Sequence, residues 1–215
     1  MKKFAVILSG SGVFDGAEIH EATLSLYAIM KQGASYEIFA PDINQHHVIN
    51  HITGEEMPES RNVMIESARI ARGAIREIKE YHAGDFDGLI FPGGFGVAKN
   101  LSTVAFHGPD AEVNKDVAQA VISTHKLRKP IGALCIAPAM MAKIFDEATV
   151  TIGQDQGTIE AIEKMGGTHV ETTHGDVVYD EKHNLFSTPC YMLDANILEI
   201  GKGAENIVAA MLKVM

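Results

Sequence analysis

Five consecutive apolar residues, Phe4 to Leu8, stop at Ser9-Gly10-Ser11-Gly12. A short unbroken apolar run closed by turn residues predicts a strand buried on both faces. Ala17 to Lys31 then shows helical spacing, with Ile19, Ala22, Leu26 and Ile29 on one face and Gly33 where a helix commonly ends. Tyr36 to Phe39, closed by Pro41-Asp42, predicts a second strand, so the chain opens as strand–helix–strand, the unit of parallel sheets. Residues 42–59 are polar and irregular. Ser60 predicts a cap for a helix running to about Arg72. A strand follows over Asp87 to Phe91, stopped by Pro92-Gly93-Gly94. Asp110 to Leu127 predicts a long helix, Ile131 to Leu134 a strand, Ile136 to Phe145 a helix and Val150 to Ile152 a short strand. Thr158 to Met165 predicts a helix and His169 to Thr172 a strand. Val177 to Tyr179 and Leu185 to Ser187 flank Glu181-Lys182-His183-Asn184 as a hairpin. Helix returns from about Leu193, and Gly201 and Gly203 predict a break before Ala204 to Val214. This alternation predicts an α/β three-layer sandwich around a mostly parallel central sheet. No linker, repeat or low-complexity tract interrupts it, which predicts a single domain over residues 1–215.

Composition removes several functional classes. The 215 residues are 46% hydrophobic and 21% charged, so the chain can bury a full core and is neither disordered nor fibrous. With 18 Lys plus Arg against 28 Asp plus Glu, the net charge is −10. That charge repels nucleic acid and anionic lipid, and neither is expected as a partner. The apolar run after Lys2 and Lys3 is shorter than a secretory core needs, and no stretch approaches a membrane span, so the expected location is cytoplasmic. Two cysteines, Cys135 and Cys190, make no disulfide framework and no CxxC pair.

The sharpest chemical signal is Gly132-Ala133-Leu134-Cys135-Ile136-Ala137-Pro138. A buried strand meets a helix at Cys135, with small residues two before and two after, the pattern of a nucleophile elbow. Small neighbours are required because the turn is tight and strained. The thiol then stands at a helix N-terminus, whose partial positive charge favours thiolate. Cys190, in Thr188-Pro189-Cys190-Tyr191, lacks that pattern and reads as packing. Phe91-Pro92-Gly93-Gly94-Phe95-Gly96 ends another strand on the same sheet edge, where its N–H groups can form an anion nest and serve as an oxyanion hole.

Gly10-Ser11-Gly12-Val13-Phe14-Asp15-Gly16 invites a dinucleotide reading, but Asp15 stands where the third glycine belongs and would repel a pyrophosphate. Glu18 and Glu21 begin the following helix, on the edge that carries Cys135, where a carboxylate can act as general acid or base. His46, His47 and His51 lack a carboxylate or thiolate at a matching offset, so a polar loop rather than a metal site is expected.

These residues carry a family resemblance. Ile7 to Glu21, Val48 to Gly54, Arg61-Asn62-Val63, the Pro92 to Gly96 turn followed by Ala98 to Leu101, Cys135 to Pro138 and Thr188-Pro189 together resemble the enhancing lycopene biosynthesis (ElbB-like) glyoxalases. These belong to the PfpI-like, class I glutamine-amidotransferase-like superfamily. The resemblance spans nearly the whole chain and implies a flavodoxin-like sheet. It implies that Cys135 is the nucleophile, that Glu21 hydrogen-bonds the thiol, and that the turn at Gly93 and Gly94 together with the N–H of Ile136 holds an oxyanion. The superfamily histidine follows the short strand after the elbow helix, and here Val150-Thr151-Ile152 leads to Gly153 instead. Loss of that base argues against amidotransfer and proteolysis, which must protonate a leaving amine. His20, His51 and Asp155 are the accessory candidates. The resemblance implies cofactor-free conversion of glyoxal or methylglyoxal to the hydroxy acid without glutathione, with protein deglycation as related chemistry, a small dicarbonyl as the partner molecule and a homodimer as the assembly, and the missing base at Gly153 predicts that turnover is slow. The competing expectation is a redox-sensing or partner-binding protein that uses the same cysteine without catalysis.

Overall fold

Backbone pairing sorts the apolar runs into two sheets in a computed structural model that describes residues 1–215. The strands are β1 (Lys3–Ile7), β2 (Ser35–Ala40), β3 (Arg76–Glu77), β4 (Gly88–Phe91), β5 (Ile131–Leu134), β6 (Thr149–Val150), β7 (Thr168–His169), β8 (Val178–Asp180) and β9 (Leu185–Thr188). The helices are α1 (Ile19–Lys31), α2 (Val63–Ile70), α3 (Val104–His107), α4 (Lys115–Lys126), α5 (Ala137–Ile144), α6 (Gln156–Lys164) and α7 (Ile197–Leu212). The main sheet runs β3-β2-β1-β4-β5-β9-β8 and is parallel except for β8, which pairs antiparallel with β9. β6 and β7 form a separate parallel pair.

Alternation along β1 explains the three layers. Phe4, Val6 and Leu8 enter one core with residues of α1 and α7. Ala5 and Ile7 enter the other with residues of α4, α5 and α6. Both faces of the strand are thus apolar, as an unbroken hydrophobic run requires. The strand order reverses direction of growth between β1 and β4, and the loops at the C-terminal ends of β1, β4 and β5 meet at that switch point, where parallel sheets commonly bind ligands.

Several sequence expectations are corrected. α7 is continuous through Gly201 and Gly203. Its start is secured by a reciprocal cap between Asn196 and Glu199, and Ile200, Ala204, Ile207, Val208 and Met211 are buried. Burial of that face outweighs a glycine cost of about 1 kcal/mol each. α4 begins at Lys115 rather than Asp110, because Asn114 accepts from the N–H groups of Asp116 and Val117 and caps it there. Asn62, not Ser60, caps α2. The strand expected over His169 to Thr172 is only Thr168–His169 and lies outside the main sheet. The edge strand β3, the short helix α3 and a π-helical turn over Val97–Leu101 were not predicted.

Candidate active site

Cys135 follows β5 directly and precedes the first turn of α5, with φ 60°. A non-glycine residue held at that angle between a regular strand and a regular helix stores of order 1–3 kcal/mol. The surrounding backbone enforces it: the Cys135 N–H donates to the Thr188 carbonyl at 2.9 Å, continuing the β5–β9 ladder one residue past the strand. The thiol is buried, with 6% of the residue exposed.

The Pro-Gly-Gly turn presses against it. A Cβ on Gly93 would overlap Cβ of Cys135 and stand 2.9 Å from its sulfur and 2.7 Å from Glu21 Oε2, so only glycine fits. Gly93 and Gly94 differ in what they offer. The Gly93 N–H donates to Glu21 Oε2 at 2.8 Å and is therefore occupied, which corrects its placement in the oxyanion hole. The N–H groups of Gly94 and Ile136 lie near the Cys135 sulfur and pull its thiol down. Gly94 sits at φ 98°, and a Cβ there would overlap the Gly16 carbonyl oxygen and the Glu18 nitrogen, so only glycine fits this position as well.

Glu21 is completely buried, and its Oε2 and the Cys135 sulfur both lie within 3 Å of where a Cβ on Gly93 would stand. Its Oε1 accepts from the N–H of Tyr191 at 3.2 Å. Burial, then the nearby charge of Glu18, push its carboxyl up to about 8, against the pull of Tyr191, Cys135 and Gly93. Glu21 therefore holds a proton at neutral pH. Burial also pushes the Cys135 thiol up, followed by Glu21, while the Gly94 and Ile136 N–H groups lower it. Desolvation outweighs the helix N-terminus, so the resting thiol is neutral rather than the thiolate expected from the elbow alone. Glu18 caps α1 by accepting from the Glu21 N–H at 2.7 Å.

The accessory candidates separate. His20 is exposed, and its Nδ1 lies 2.8 Å from the Tyr191 hydroxyl. His51 has both ring nitrogens engaged: Nδ1 donates to the Ile49 carbonyl at 3.0 Å, and Nε2 accepts from the Phe14 N–H at 3.2 Å. Asp155 caps α6 by accepting from the Thr158 N–H at 2.9 Å and is exposed. None of the three contacts the sulfur. Gly153 sits at φ 82°, and a Cβ there would come within 2.8 Å of Leu193 Cδ2 and 3.1 Å of Pro189 Cβ. Apolar side chains thus fill the space a histidine at this position would need.

One residue escaped the sequence reading, and one read as packing lies beside the site. Tyr191 supplies a backbone donor to Glu21 and a hydroxyl to His20. Cys190, at φ 43°, is buried close enough to Glu21 and Cys135 for their charges to push its thiol up further, after burial itself. Neither has a local motif, since both reach the site only through the turn after β9. The glycine-rich segment 10–16 is not an open phosphate cradle. It is zipped to the Pro-Gly-Gly turn by Phe95 N–H to Val13 O and Gly96 N–H to Gly16 O bonds, while Asp15 accepts from the Ile49 N–H at 2.7 Å. His46 and His47 pack around Phe106, and no group of three or more His, Cys, Asp or Glu converges as a metal site.

Comparison with known proteins extends over the whole chain. It is 42% identical over 222 residues to the mitochondrial ES1 protein homolog of Rattus norvegicus, covering 99% of this chain and 84% of that protein. It is equally identical to the mitochondrial glutamine amidotransferase-like class 1 domain-containing protein 3 of Homo sapiens, covering 99% of this chain and 83% of that protein. Among solved structures, an isoprenoid biosynthesis protein with amidotransferase-like domain from Ehrlichia chaffeensis superposes with TM-score 0.93 at 35% identity, covering 99% of both chains. A glyoxalase III from Candida albicans shares the fold, with TM-score 0.61 at 16% identity over 97% of both chains. No family model matches the chain. The expectation of a cytoplasmic protein is overturned by the curated relatives, which are named mitochondrial. No helix is long and apolar enough to cross a membrane.

Proposed function

This chain belongs to the ES1 family of class I glutamine-amidotransferase-like proteins, to which the ElbB-like isoprenoid biosynthesis protein is also related, and on that premise we propose that it is a cofactor-free glyoxalase acting through Cys135 and Glu21. The observation that carries this reading is the buried carboxyl–thiol pair flanked by two backbone N–H donors. Such a pair suits a reaction that moves one proton between adjacent carbons and expels no amine, so the filled space at Gly153 is no obstacle. A buried thiol suits a two- or three-carbon substrate. The clefts of about 480 and 570 Å³ on this surface do not include Cys135. Fold neighbours include a protein named glyoxalase III.

The reactive state holds one proton in the pair. Ionised Glu21 takes the thiol proton, and sulfur bonds to one aldehyde carbon of glyoxal. The N–H groups of Gly94 and Ile136 stabilise the developing oxyanion, which is then protonated to a hemithioacetal. Glu21 removes the hydrogen on that carbon as a proton and returns it to the neighbouring carbon through an enediol, leaving a glycoloyl thioester. Water cleaves the thioester, releasing glycolate and the thiol, with no external oxidant. Because Glu21 ionises at about 8, turnover rises as pH climbs through that value. The test is a screen of small dicarbonyls. Saturable conversion of glyoxal that disappears in Cys135→Ala supports the enzyme. Absent turnover, with Cys135 oxidising readily to the sulfinic acid, favours a redox-sensing role instead.

A further inference from the structure

We propose that the cleft at the β8–β9 turn binds a small phosphomonoester dianion, at the end of the sheet opposite Cys135. The cleft is about 570 Å³ and is walled by His125, Lys126, Arg128, Lys182 and His183. Glu181 is its one acidic residue. In a chain of net charge −10 this lining carries three cationic side chains against one carboxylate. No carboxylate lies within 4 Å of Lys126 or Arg128, while Lys182 pairs with Glu147 at the rim.

The two imidazoles are oriented from behind. His183 is buried, and its Nδ1 lies 2.8 Å from Asp180 Oδ2, so Nδ1 carries the proton and donates. Asp180 is itself buried and held by the N–H of Thr149 at 2.8 Å and that of His183 at 3.1 Å. His125 Nδ1 donates to the His183 carbonyl at 3.1 Å. Each ring thus spends Nδ1 on the scaffold, and the Nε2 of each has no protein partner. A buried carboxylate that fixes a histidine whose other nitrogen is unpartnered is the arrangement used to present an imidazole to a ligand.

The donor set selects the ligand. A planar guanidinium fork and an ammonium supply the donors that match the terminal oxygens of a phosphomonoester, and each Nε2, an acceptor in the neutral ring, donates to such an oxygen only when the ring carries a second proton. A long polyanion is disfavoured by the chain's net charge of −10. The site is separated from the candidate active site by the length of β5, since Arg128 precedes that strand and Cys135 follows it.

The experiment titrates the protein with inorganic phosphate and with glycerol phosphate at constant ionic strength, set with chloride, and follows the ring signals of His183 and His125 together with the heat of binding. Saturable binding that shifts both rings, and weakens roughly tenfold or more in Arg128→Gln and in Lys126→Gln, is expected. Both side chains are exposed, so both variants keep the fold, and glyoxal turnover stays unchanged in them. Lack of saturation, an equal response to chloride alone, or unaltered affinity in both variants would overturn the proposal. Failure of the Cys135 chemistry would leave these outcomes unaffected.

Discussion

Two buried carboxylates at opposite ends of the sheet ionise in opposite directions. Glu21 is fully buried and rises to about 8. Asp180 is 5% exposed, yet its carboxyl lies below the ordinary value, because the His183 side chain and the N–H groups of Thr149 and His183 outweigh its burial. Both accept backbone N–H bonds. What differs is the remaining neighbour: Asp180 faces an imidazole that can carry positive charge, whereas Glu21 faces Glu18 and a neutral thiol. Burial alone therefore does not set a carboxyl's charge; the sign of the partner does. The first arrangement is suited to moving a proton near neutral pH, and the second to fixing a turn.

The largest test of this contrast is catalytic. Glu21→Gln removes the proton-transfer group, and glyoxal turnover is expected to fall by about 10²–10⁴-fold, measured as kcat/KM. The same change in Asp180→Asn should leave turnover within a small factor of wild type. Equal losses in both variants would erase the distinction.

Stability against pH sharpens it. Folded Glu21 keeps its proton to about 8, whereas an unfolded glutamate releases it near 4.5. Between those values the unfolded state binds fewer protons, so stability falls as pH rises, by about 3 kcal/mol at pH 7. Urea melts at pH 5, 6, 7 and 8 should show this decline, and Glu21→Gln should flatten it. Asp180 has the opposite sign: its depressed folded value adds stability above 3.8 that is lost as pH falls further. Asp180→Asn should therefore cost about 1–3 kcal/mol at neutral pH, and the gap from wild type should narrow in acid.

The smallest expected effect lies outside both centres and serves as their control. Gly201 is inside α7, and a Cβ there would meet only Leu24 at 3.9 Å, an ordinary contact. Gly201→Ala should raise stability by about 0.5–1 kcal/mol by thermal melt, without any pH dependence.

Much of this was readable from local pattern. The unbroken runs at β1, β4 and β5 needed two apolar faces, and only a sheet covered on both sides provides them. The small residues around Cys135 marked a strained turn wherever the chain folded, and φ 60° follows from that local constraint. Glu21 was reached through the family likeness and its place at the start of α1. The continuity of α7 was missed because two glycines weaken local propensity, while the burial that overrides them comes from elements distant in sequence. His20, His51 and Asp155 could not be sorted by sequence either, since a ring or carboxyl already engaged by backbone looks the same in one dimension as a free one.

The amino-acid sequence by itself determined the alternation of strands and helices, the buried parallel sheet and the elbow that presents Cys135, because each depends on periodicity and backbone sterics within a few residues. Tertiary structure alone decided that Gly93 serves Glu21 while Gly94 and Ile136 serve the sulfur, that Leu193 and Pro189 close the space beside Gly153, and that Glu21 keeps its proton. The physical reason is that hydrogen-bond allocation and desolvation depend on which distant segments meet around a group, and the charge a group carries follows from that enclosure rather than from its own chemistry.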